Sequence, residues 1–325
     1  MKHVPLSSLQ VGFKIESVYL IKDVDKKTKK NGEPYVSLTL QDNTGTINAI
    51  MWDDVDSFLN NRISTGDFIF IRASINEYNK QIQAIISEVK KIDISQVEVE
   101  KFQPASSRPI PEMKEELSAF IKRVEAPHLQ SLLQFFFGDE QFMAAFMRAP
   151  AARNMHQAYI GGLAEHTIGV IKNALALAAN YEGVDVDLLI TGALLHDACK
   201  IYDYSFTTAI TTTDMGRLIG HLALMSMKIE AAVSQIPDFP EEAKMLLEHM
   251  ILSHHGKKEY GSPRLPVTAE ALILFYADYA DAYLSTYFEE RKMAHQKGQK
   301  WTDYVEMFQS YLYAGEPPKP EETIE

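Results

Sequence analysis

The chain is poor in cysteine and has no long apolar run. Its 325 residues include one cysteine, Cys199, so an internal disulfide cannot form and a secreted, disulfide-stapled scaffold is excluded. No uninterrupted apolar stretch approaches the roughly 20 residues that span a bilayer. The first residues, MKHVPLSSLQ, contain no apolar signal core. These absences predict a protein of the reducing cytoplasm with no membrane partner.

Basic residues are also scarce, since 32 lysines and arginines stand against 44 aspartates and glutamates, a net charge of −12. This balance excludes a protein that coats nucleic acid nonspecifically, but it is compatible with nucleic acid held in a local groove. Glycine (16) and proline (14) are too few for a collagenous or low-complexity chain. Apolar residues make up 46%, enough for buried cores, and the length suggests about two domains.

The first 95 residues have the pattern of a small β-barrel. Five segments carry β-branched and aromatic residues in partial alternation, as strands do: 13–23, 35–42, 45–52, 67–77 and 81–90. Residues 53–63 predict a short helix between the third and fourth strands. Five strands with a helix after the third is the order of an OB-fold, a barrel that often binds oligonucleotides. The segment 23–33 is the expected loop between the first two strands.

After residue 95 the strand pattern ends. Residues 96–111 lose periodicity and are rich in proline and serine, so we expect a linker there. From 112 to 314 apolar residues recur at three- and four-residue spacing, which predicts an all-α domain. The expected helices are 112–124, 127–137, 139–147, 157–181, 186–198, 215–235, 240–253, 267–287 and 300–312. The acidic, proline-rich residues 315–325 predict a disordered tail. The predicted fold class is therefore a multidomain α+β protein.

Histidines and aspartates form a spaced set in the helical part. Each lies within or at the end of a predicted helix with an apolar face: His166, His196, Asp197, His221, His254, His255 and Asp278. The ligands of one metal must converge from several such helices, because one helical turn supplies at most two. Burying this many imidazoles and carboxylates without a metal would be costly. Imidazole and carboxylate without thiolate suit Mn²⁺, iron, Co²⁺, Ni²⁺ or Zn²⁺.

The spacing of these residues resembles a known superfamily. His166, the His196-Asp197 pair and Asp278 are similar to the H…HD…D pattern of the HD-domain metal-dependent phosphohydrolases. The segments HQAYIGGLAEHT, LLHDACKI and SHHG, placed behind an OB-fold, resemble the YhaM-type 3′→5′ exoribonucleases. The resemblance covers about residues 10 to 312. It implies an N-terminal five-stranded OB-fold β-barrel followed by an all-α HD domain that holds two divalent metal ions.

The resemblance also implies a ligand set. The first metal would be held by His166, His196, Asp197 and Asp278. The second would be held by Asp197, as the bridge, with His221 and His254. Mn²⁺ is the expected ion, and Co²⁺, iron, Ni²⁺ and Zn²⁺ are alternatives.

Two assignments around this set stay open. Adjacent residues on a helix point about 100° apart, so the second metal takes either His254 or His255, and the other faces the substrate or supports a ligand. Asp281, one turn beyond Asp278, is expected to support a ligand or to face solvent.

Four further side chains are candidates around the substrate. Lys200, a turn after Asp197, would hold non-bridging phosphate oxygens; the alternative is a lysine that complements a helix C-terminus. His156 would face the substrate phosphate or donate to the leaving oxygen, with a structural role as the alternative. Arg153 is a candidate phosphate contact, and His249 is a structural or ligand-supporting candidate.

The barrel carries its own candidates. Single strands bind OB-folds by stacking bases on aromatic rings while cations follow the backbone. Trp52, at a strand end, and Tyr35 are the stacking candidates, whereas Phe68 and Phe70 share a face and are expected in the core. The lysines of the 23–33 loop are candidate phosphate contacts: Lys26, Lys27, Lys29 and Lys30.

These observations and the resemblance predict a metal-dependent 3′→5′ exoribonuclease. It would hydrolyse single-stranded RNA, with single-stranded DNA as a second substrate, to nucleoside 5′-monophosphates through a hydroxide activated by two metals. Polarity and product rest on the resemblance alone. One alternative is an HD-type phosphodiesterase of small or cyclic nucleotides with a regulatory OB domain. Another is a DNA-binding accessory protein with a vestigial site. A homo-oligomer is compatible with the sequence, which does not set the subunit number.

Overall fold

The computed structural model describes residues 3–29, 31–53, 55, 58, 62–78, 81–153, 157–206 and 210–318. The chain divides into two compact units, Met1–Ala105 with Ser205–Thr211, and Ser106–Tyr204 with Thr212–Glu325. The predicted boundaries, 1–95, 96–111, 112–314 and 315–325, stay a prediction. Among the residues just given, no helix has both the length and the apolar composition needed to cross a membrane.

The first unit is built on a closed barrel of five strands in the neighbour order β1-β2-β3-β5-β4. The strands are β1 (Lys14–Thr28), β2 (Pro34–Asp42), β3 (Gly45–Met51), β4 (Phe68–Tyr78) and β5 (Gln81–Ile92). All neighbours are antiparallel except β3 and β5, which pair in parallel. This order and closure confirm the predicted OB-fold.

Alternation along the strands fills the barrel. On β2, Val36, Leu38 and Leu40 are buried in the main core, and the residues between them are half-buried. Each fully buried aliphatic side chain contributes about 1.5–3 kcal/mol, so this inner face drives closure of the barrel.

A second, smaller core lies beside the main one. It joins Phe68 to Val18, Leu20 and Phe102, with Phe70 packed against them, which confirms the predicted core role of Phe68 and Phe70. Phe102 belongs to the predicted linker, so the chain stays packed in this unit beyond residue 95.

Strand β1 is longer than predicted. It pairs with β2 as far as Lys26–Val36, Lys27–Tyr35 and Thr28–Pro34, so the segment expected as a loop from residue 23 begins as strand. Backbone pairing needs no apolar side chain, and solvated lysines at a strand end hide it from a hydrophobicity pattern. Most of the predicted helix 53–63 lies outside the described residues; Val55 and Phe58, which are described, are helical and buried.

The second unit is predominantly helical, as predicted. Its helices are α1 (Ile110–Arg123), α2 (Pro127–Phe137), α3 (Glu140–Arg148), α4 (Gly162–Ala178), α5 (Val186–Leu195), α6 (Lys200–Asp203), α7 (Asp214–Leu218), α8 (His221–Val233), α9 (Glu241–Ser253) and α10 (Ala269–Gln296). Between α6 and α7 lies a pair of two-residue strands, β6 (Tyr204–Ser205) and β7 (Thr211–Thr212). Helix α5 is buried on all sides from Leu188 to Leu195, which places it at the centre of the helical core.

Two glycines set helix starts that the periodicity missed. The helix expected over 157–181 begins at Gly162, because Gly161 has φ +83°. The helix expected over 215–235 divides into α7 and α8 at Gly220, which has φ +76°. L-residues with a side chain rarely adopt such angles, so glycine makes these breaks inexpensive. The second break makes His221 the first residue of α8.

The helix predicted over 300–312 is wrong. These residues form a hairpin of β8 (Trp301–Val305) and β9 (Ser310–Tyr313), with Tyr304 paired to Tyr311. The segment is rich in β-branched and aromatic residues, which favour strands. Burial of Thr302 and Val305, with exposed residues between, gives an inner face that resembled a helical period.

Candidate metal centre

The predicted ligands converge from five helices around one carboxylate. His166 lies in α4, His196 and Asp197 follow α5, His221 starts α8, His254 follows α9 and Asp278 lies in α10. The ligands form three groups, and within each group the ligand atoms lie within 4.8 Å of one another. Asp197 belongs to two of these groups. The groups are Asp197 with His221, His254 and His255; His166 with His196 and Asp197; and His196 with His254 and Asp278.

Helix ends fix two of the imidazoles through the main chain. The Nδ1–H of His196 donates to the Ala193 carbonyl at 2.8 Å, and that of His254 donates to the Ile251 carbonyl at 2.7 Å. Both carbonyls belong to the last turn of a helix, where no backbone N–H takes them. Each ring therefore presents Nε2, with its lone pair, toward Asp197.

Carboxylates fix two more imidazoles. His166 Nδ1 lies 2.7 Å from Asp281 Oδ2, and His221 Nδ1 lies 2.8 Å from Asp203 Oδ2. An ionised carboxylate only accepts, so Nδ1 carries the proton and Nε2 faces the cluster. Such an outer partner orients a metal-binding histidine and raises its basicity. The missing side chain at Gly169 makes room for Asp281, because a Cβ there would stand 2.0 Å from Asp281 Oδ1.

The ring nitrogens close on Asp197 from several sides. His221 Nε2 lies 3.3 Å and His254 Nε2 lies 3.6 Å from Asp197 Oδ1. His166 Nε2 lies 3.5 Å from Asp197 Oδ2 and 3.1 Å from Asp278 Oδ1. Asp197 is 2% exposed, so water does not screen these contacts.

Three of these atoms lack a hydrogen-bond partner among the described residues: Asp197 Oδ1, His221 Nε2 and His254 Nε2. Leaving a buried polar atom unpaired costs about 1–3 kcal/mol, so three of them at one point call for a shared partner. Two imidazole nitrogens and a carboxylate oxygen fit a divalent cation and fit no other small group as well. The donor set therefore suits a divalent metal.

The charge states of Asp197 and of three neighbouring histidines favour the binding of a cation. Burial opposes the charged form of Asp197, but Lys200 and His196 outweigh it and hold the pKa of Asp197 well below its ordinary value. Burial lowers the pKa of His221, His254 and His255, the last to about 4, so these rings are neutral near pH 7. An ionised carboxylate and neutral imidazoles are the states that metals require. His166 differs: burial lowers its pKa, but hydrogen bonds to Asp197, Asp278 and Asp281 outweigh this and raise the pKa, so a metal would displace a proton from this ring.

The structure brings both His254 and His255 to the cluster, although adjacent residues of one helix point about 100° apart. Helix α9 ends at Ser253, so both histidines lie in the turn that follows it, before Gly256 with φ +72°. The ring centroids of His254 and His255 are 4.4 Å apart. His255 Nδ1–H donates to the Tyr260 carbonyl at 2.9 Å, which leaves its Nε2 available.

Lys200 contacts the centre directly. Its Nζ lies 2.6 Å from Asp197 Oδ2, and the residue is 9% exposed. Lys200 is the first residue of α6, which has only four residues, so the phosphate contact and the alternative of a lysine at a helix C-terminus both stay predictions. Cys199 next to it is buried, which raises the pKa of its thiol to about 12 and makes it inert as a nucleophile.

Two of the remaining candidates of this unit, His249 and Arg153, do not belong to the ligand groups. His249 Nε2 accepts from the Val267 N–H at 3.1 Å and takes no part in the ligand groups, which favours its structural role. Arg153 is exposed. Burial raises the pKa of Tyr204, and the positive charge of Arg153 opposes this rise. His156 lies outside the described residues. Asp203, which orients His221, was not found from the sequence, because no motif marks an aspartate six residues after the His-Asp pair.

In the barrel, the two stacking candidates stack on each other. The rings of Tyr35 and Trp52 are 4.8 Å apart at 29°, and Trp52 is 38% exposed. Lys29 Nζ lies 6.0 Å from the Trp52 ring but also 3.2 Å from Glu33, and Lys27 lies 3.4 Å from Asp25. Lys26 is exposed on β1, and Lys30 lies outside the described residues. Acidic neighbours thus neutralise part of the positive charge that the sequence predicts for the 23–33 segment.

Comparison with known proteins covers both units. A family model described as HD domain matches residues 163–283, and one described as OB-fold nucleic acid binding domain matches residues 20–92. The chain is 30% identical over 299 residues to the 3′-5′ exoribonuclease YhaM of Bacillus subtilis (strain 168), which is 91% of this chain and 93% of that protein. It is 32% identical over 281 residues to the protein of the same name from Shouchella clausii (strain KSM-K16), with 85% and 86% covered.

We expect Mn²⁺ to stabilise the metal-free protein and Asp197→Ala to abolish that effect. A ligand that binds only the native state adds about 2.7 kcal/mol to the free energy of unfolding at 100 times its dissociation constant. Asp197 belongs to two ligand groups, so its removal leaves both incomplete. Thermal unfolding of EDTA-treated protein with and without Mn²⁺ measures the shift.

Asp303→Ala is the matched control for that experiment, because Asp303 is an exposed carboxylate of the same unit, 2.6 Å from Lys297. It should keep the wild-type Mn²⁺ shift. Each variant is compared with its own metal-free form, since Asp197→Ala also leaves Lys200 buried without its partner. An Asp197→Ala protein that Mn²⁺ stabilises as much as wild type would contradict the site.

Proposed function

Because the chain belongs to the YhaM family of 3′-5′ exoribonucleases, we propose that it is a metal-dependent 3′→5′ exoribonuclease of single-stranded RNA. The observation that carries the proposal is the convergence of oriented imidazoles on the buried Asp197 carboxylate. The direction of cleavage follows the name of these relatives, and nucleoside 5′-monophosphates are the product that we propose. Single-stranded DNA is the second candidate substrate.

The ligand groups support two divalent ions that share Asp197. His166, His196, Asp197 and Asp278 would hold the first, and Asp197, His221, His254 and His255 the second. Mn²⁺ is the ion we propose, because mixed imidazole and carboxylate donors suit it. When bound, such ions supply Lewis acidity and lower the pKa of water. His255 enters this set as a ligand, in place of the choice between two histidines that the sequence left open.

Lys200 is the cation of the protein best placed for the phosphodiester. Its ammonium group contacts Asp197, which keeps it at the metal centre, and the charge of Asp197 holds the pKa of Lys200 above its ordinary value although burial opposes this. A fixed positive charge there stabilises non-bridging phosphate oxygens as they gain charge. His156 stays a candidate donor to the leaving oxygen, and Arg153 a candidate phosphate contact.

The barrel would hold the strand. Trp52 with Tyr35 offers a ring face to a base, and Lys26 and Lys27 on β1, with Lys29 and Lys30 after it, would follow the phosphates. The domain boundaries, the cytoplasmic location and a homo-oligomeric state stay predictions.

The purified full chain should release nucleoside 5′-monophosphates from single-stranded RNA with Mn²⁺ and lose this activity with EDTA. End-labelled RNA, end-labelled DNA and cyclic dinucleotides, assayed in parallel, separate the proposal from its alternatives. Laddering of 5′-labelled RNA indicates removal from the 3′ end. If cyclic dinucleotides are hydrolysed while the RNA stays intact, the small-nucleotide phosphodiesterase is favoured instead. If no substrate is hydrolysed, the accessory protein with a vestigial site is favoured.

Lys200→Ala should lower turnover of RNA by about 10²–10³, the usual effect of removing one electrostatic donor. The expected loss is in kcat, with metal content, measured by elemental analysis, retained. Lys172→Ala is the control, because Lys172 is an exposed lysine of the same unit, in contact with Glu116 at 2.5 Å. A kcat for Lys200→Ala equal to that of Lys172→Ala would remove Lys200 from the mechanism.

Trp52→Ala should raise KM for long RNA by about 5- to 100-fold, because stacking contributes about 1–3 kcal/mol per base. The loss should shrink as the RNA is shortened, since a strand held only at the metal centre gains nothing from stacking in the barrel. Trp301→Ala removes the other tryptophan, which is also exposed, and serves as the control. Equal KM values for the two variants at every RNA length would show that the barrel does not hold the strand through Trp52.

A further inference from the structure

A loop beside the metal centre carries cations and an aromatic ring that the proposed function has not used. Residues 256–264, GKKEYGSPR, follow directly after His254 and His255. Three of the nine residues are basic and one is acidic, in a chain whose net charge is −12. Lys257, Lys258 and Arg264 are exposed.

The backbone of this loop is fixed to the metal centre. His255 donates to the Tyr260 carbonyl at 2.9 Å, so a proposed ligand holds the middle of the loop. The hydroxyl of Ser262, which is buried, lies 3.0 Å from the Leu252 carbonyl oxygen and 2.8 Å from that of Arg264, and its one proton is shared between these two acceptors. The side chains of Lys257, Lys258 and Tyr260 therefore project from a positioned loop.

The charges of the loop are not neutralised. Within the described ranges, no carboxylate forms an ion pair with Lys257, Lys258 or Arg264. Other lysines of this unit have such partners, for example Lys172 with Glu116 and Lys244 with Glu230. Unpaired cations beside a site for a phosphodiester attract its polyanionic strand.

Aromatic rings complete the surface. Tyr260 is 47% exposed, and Lys257 Nζ lies 5.2 Å from the centre of its ring. Tyr279, which follows the ligand Asp278, stacks on Tyr283 at 4.0 Å and 24°. Hydrogen bonding to Tyr279 raises the pKa of Tyr283, and Tyr260 adds to this, so the three hydroxyl-bearing rings are neighbours.

We propose that residues 256–264, with Tyr279 and Tyr283, form a subsite for the nucleotides that adjoin the scissile phosphodiester. Tyr260 stacks on a base, and Lys257 and Lys258 pair with the flanking phosphates. Aromatic rings beside unpaired cations are the combination that binds single strands without sequence preference. This assignment rests on the proposed exoribonuclease activity and names where its substrate lies.

The test compares two variants with matched controls in the full, Mn²⁺-loaded chain. Lys257→Ala/Lys258→Ala is matched by Lys122→Ala/Arg123→Ala, another pair of adjacent, exposed cations of the same unit. Tyr260→Ala is matched by Tyr181→Ala, where the tyrosine is 65% exposed. The measurements are kcat and KM on single-stranded RNA at several salt concentrations, and hydrolysis of bis(p-nitrophenyl) phosphate.

We expect Tyr260→Ala to raise KM for RNA by about 5- to 100-fold and Tyr260→Phe to restore it. The double lysine variant should flatten the slope of log kcat/KM against log salt by about 1.4, since each phosphate contact to a single strand contributes about 0.7. In both variants the loss on RNA should exceed any loss on bis(p-nitrophenyl) phosphate by at least tenfold.

Two different failures are distinguishable. If the wild-type chain does not degrade RNA, the proposed function fails before the subsite is tested. If the wild type degrades RNA and the loop variants match their controls in KM and salt slope, the subsite is wrong and the function stands. Equal losses on RNA and on bis(p-nitrophenyl) phosphate would also overturn the subsite, because they indicate damage to the metal centre.

Discussion

One buried carboxylate organises the helical unit. Asp197 is removed from water, and an ionised carboxylate there is stable only if cations and donors surround it. Lys200 supplies one charge at 2.6 Å, but the second oxygen faces two imidazole nitrogens that have no proton to give. The fold therefore places acceptor atoms without hydrogen-bond partners at one point, and a divalent cation is the species that can bind them together. The helix ends that surround this point are arranged by that requirement.

Much of this centre could be predicted from the sequence, because residue type and spacing already identify His166, His196, Asp197, His221 and Asp278. What could not be predicted depends on backbone angles. Helical periodicity carries no sign of the turn after Ser253 that lets His255 join His254. Asp203 could not be predicted, because its contact with His221 depends on the four-residue helix in which it lies. Periodicity predicts a helix where the hairpin 301–313 lies, because the two buried positions of its first strand, Thr302 and Val305, are three residues apart, as on one face of a helix.

The acidity of the chain does not conflict with a polyanionic substrate. Charges more than about 10 Å apart are largely screened at 0.1 M salt, so the charge that a strand meets is local. Lys27 and Lys29 have carboxylates within 4 Å, whereas Lys257 and Lys258 have none among the described residues. A net negative surface with a few unpaired cations near the metal centre limits unproductive binding of RNA elsewhere. Charge distribution thereby contributes to where a strand is held, not only to how tightly.

The way in which each imidazole is oriented divides the ligands into two classes of mutational tolerance. Main-chain carbonyls set the tautomers of His196 and His254, and no exchange of a neighbouring side chain removes a carbonyl. Side-chain carboxylates set those of His166 and His221, so a single substitution at Asp281 or Asp203 would free the ring to rotate or to take the other tautomer. Substitutions at Asp281 or Asp203 can thus change the metal affinity of His166 or His221 in small steps. The ring orientations of His196 and His254 stay the same as long as their helices end at the same residues.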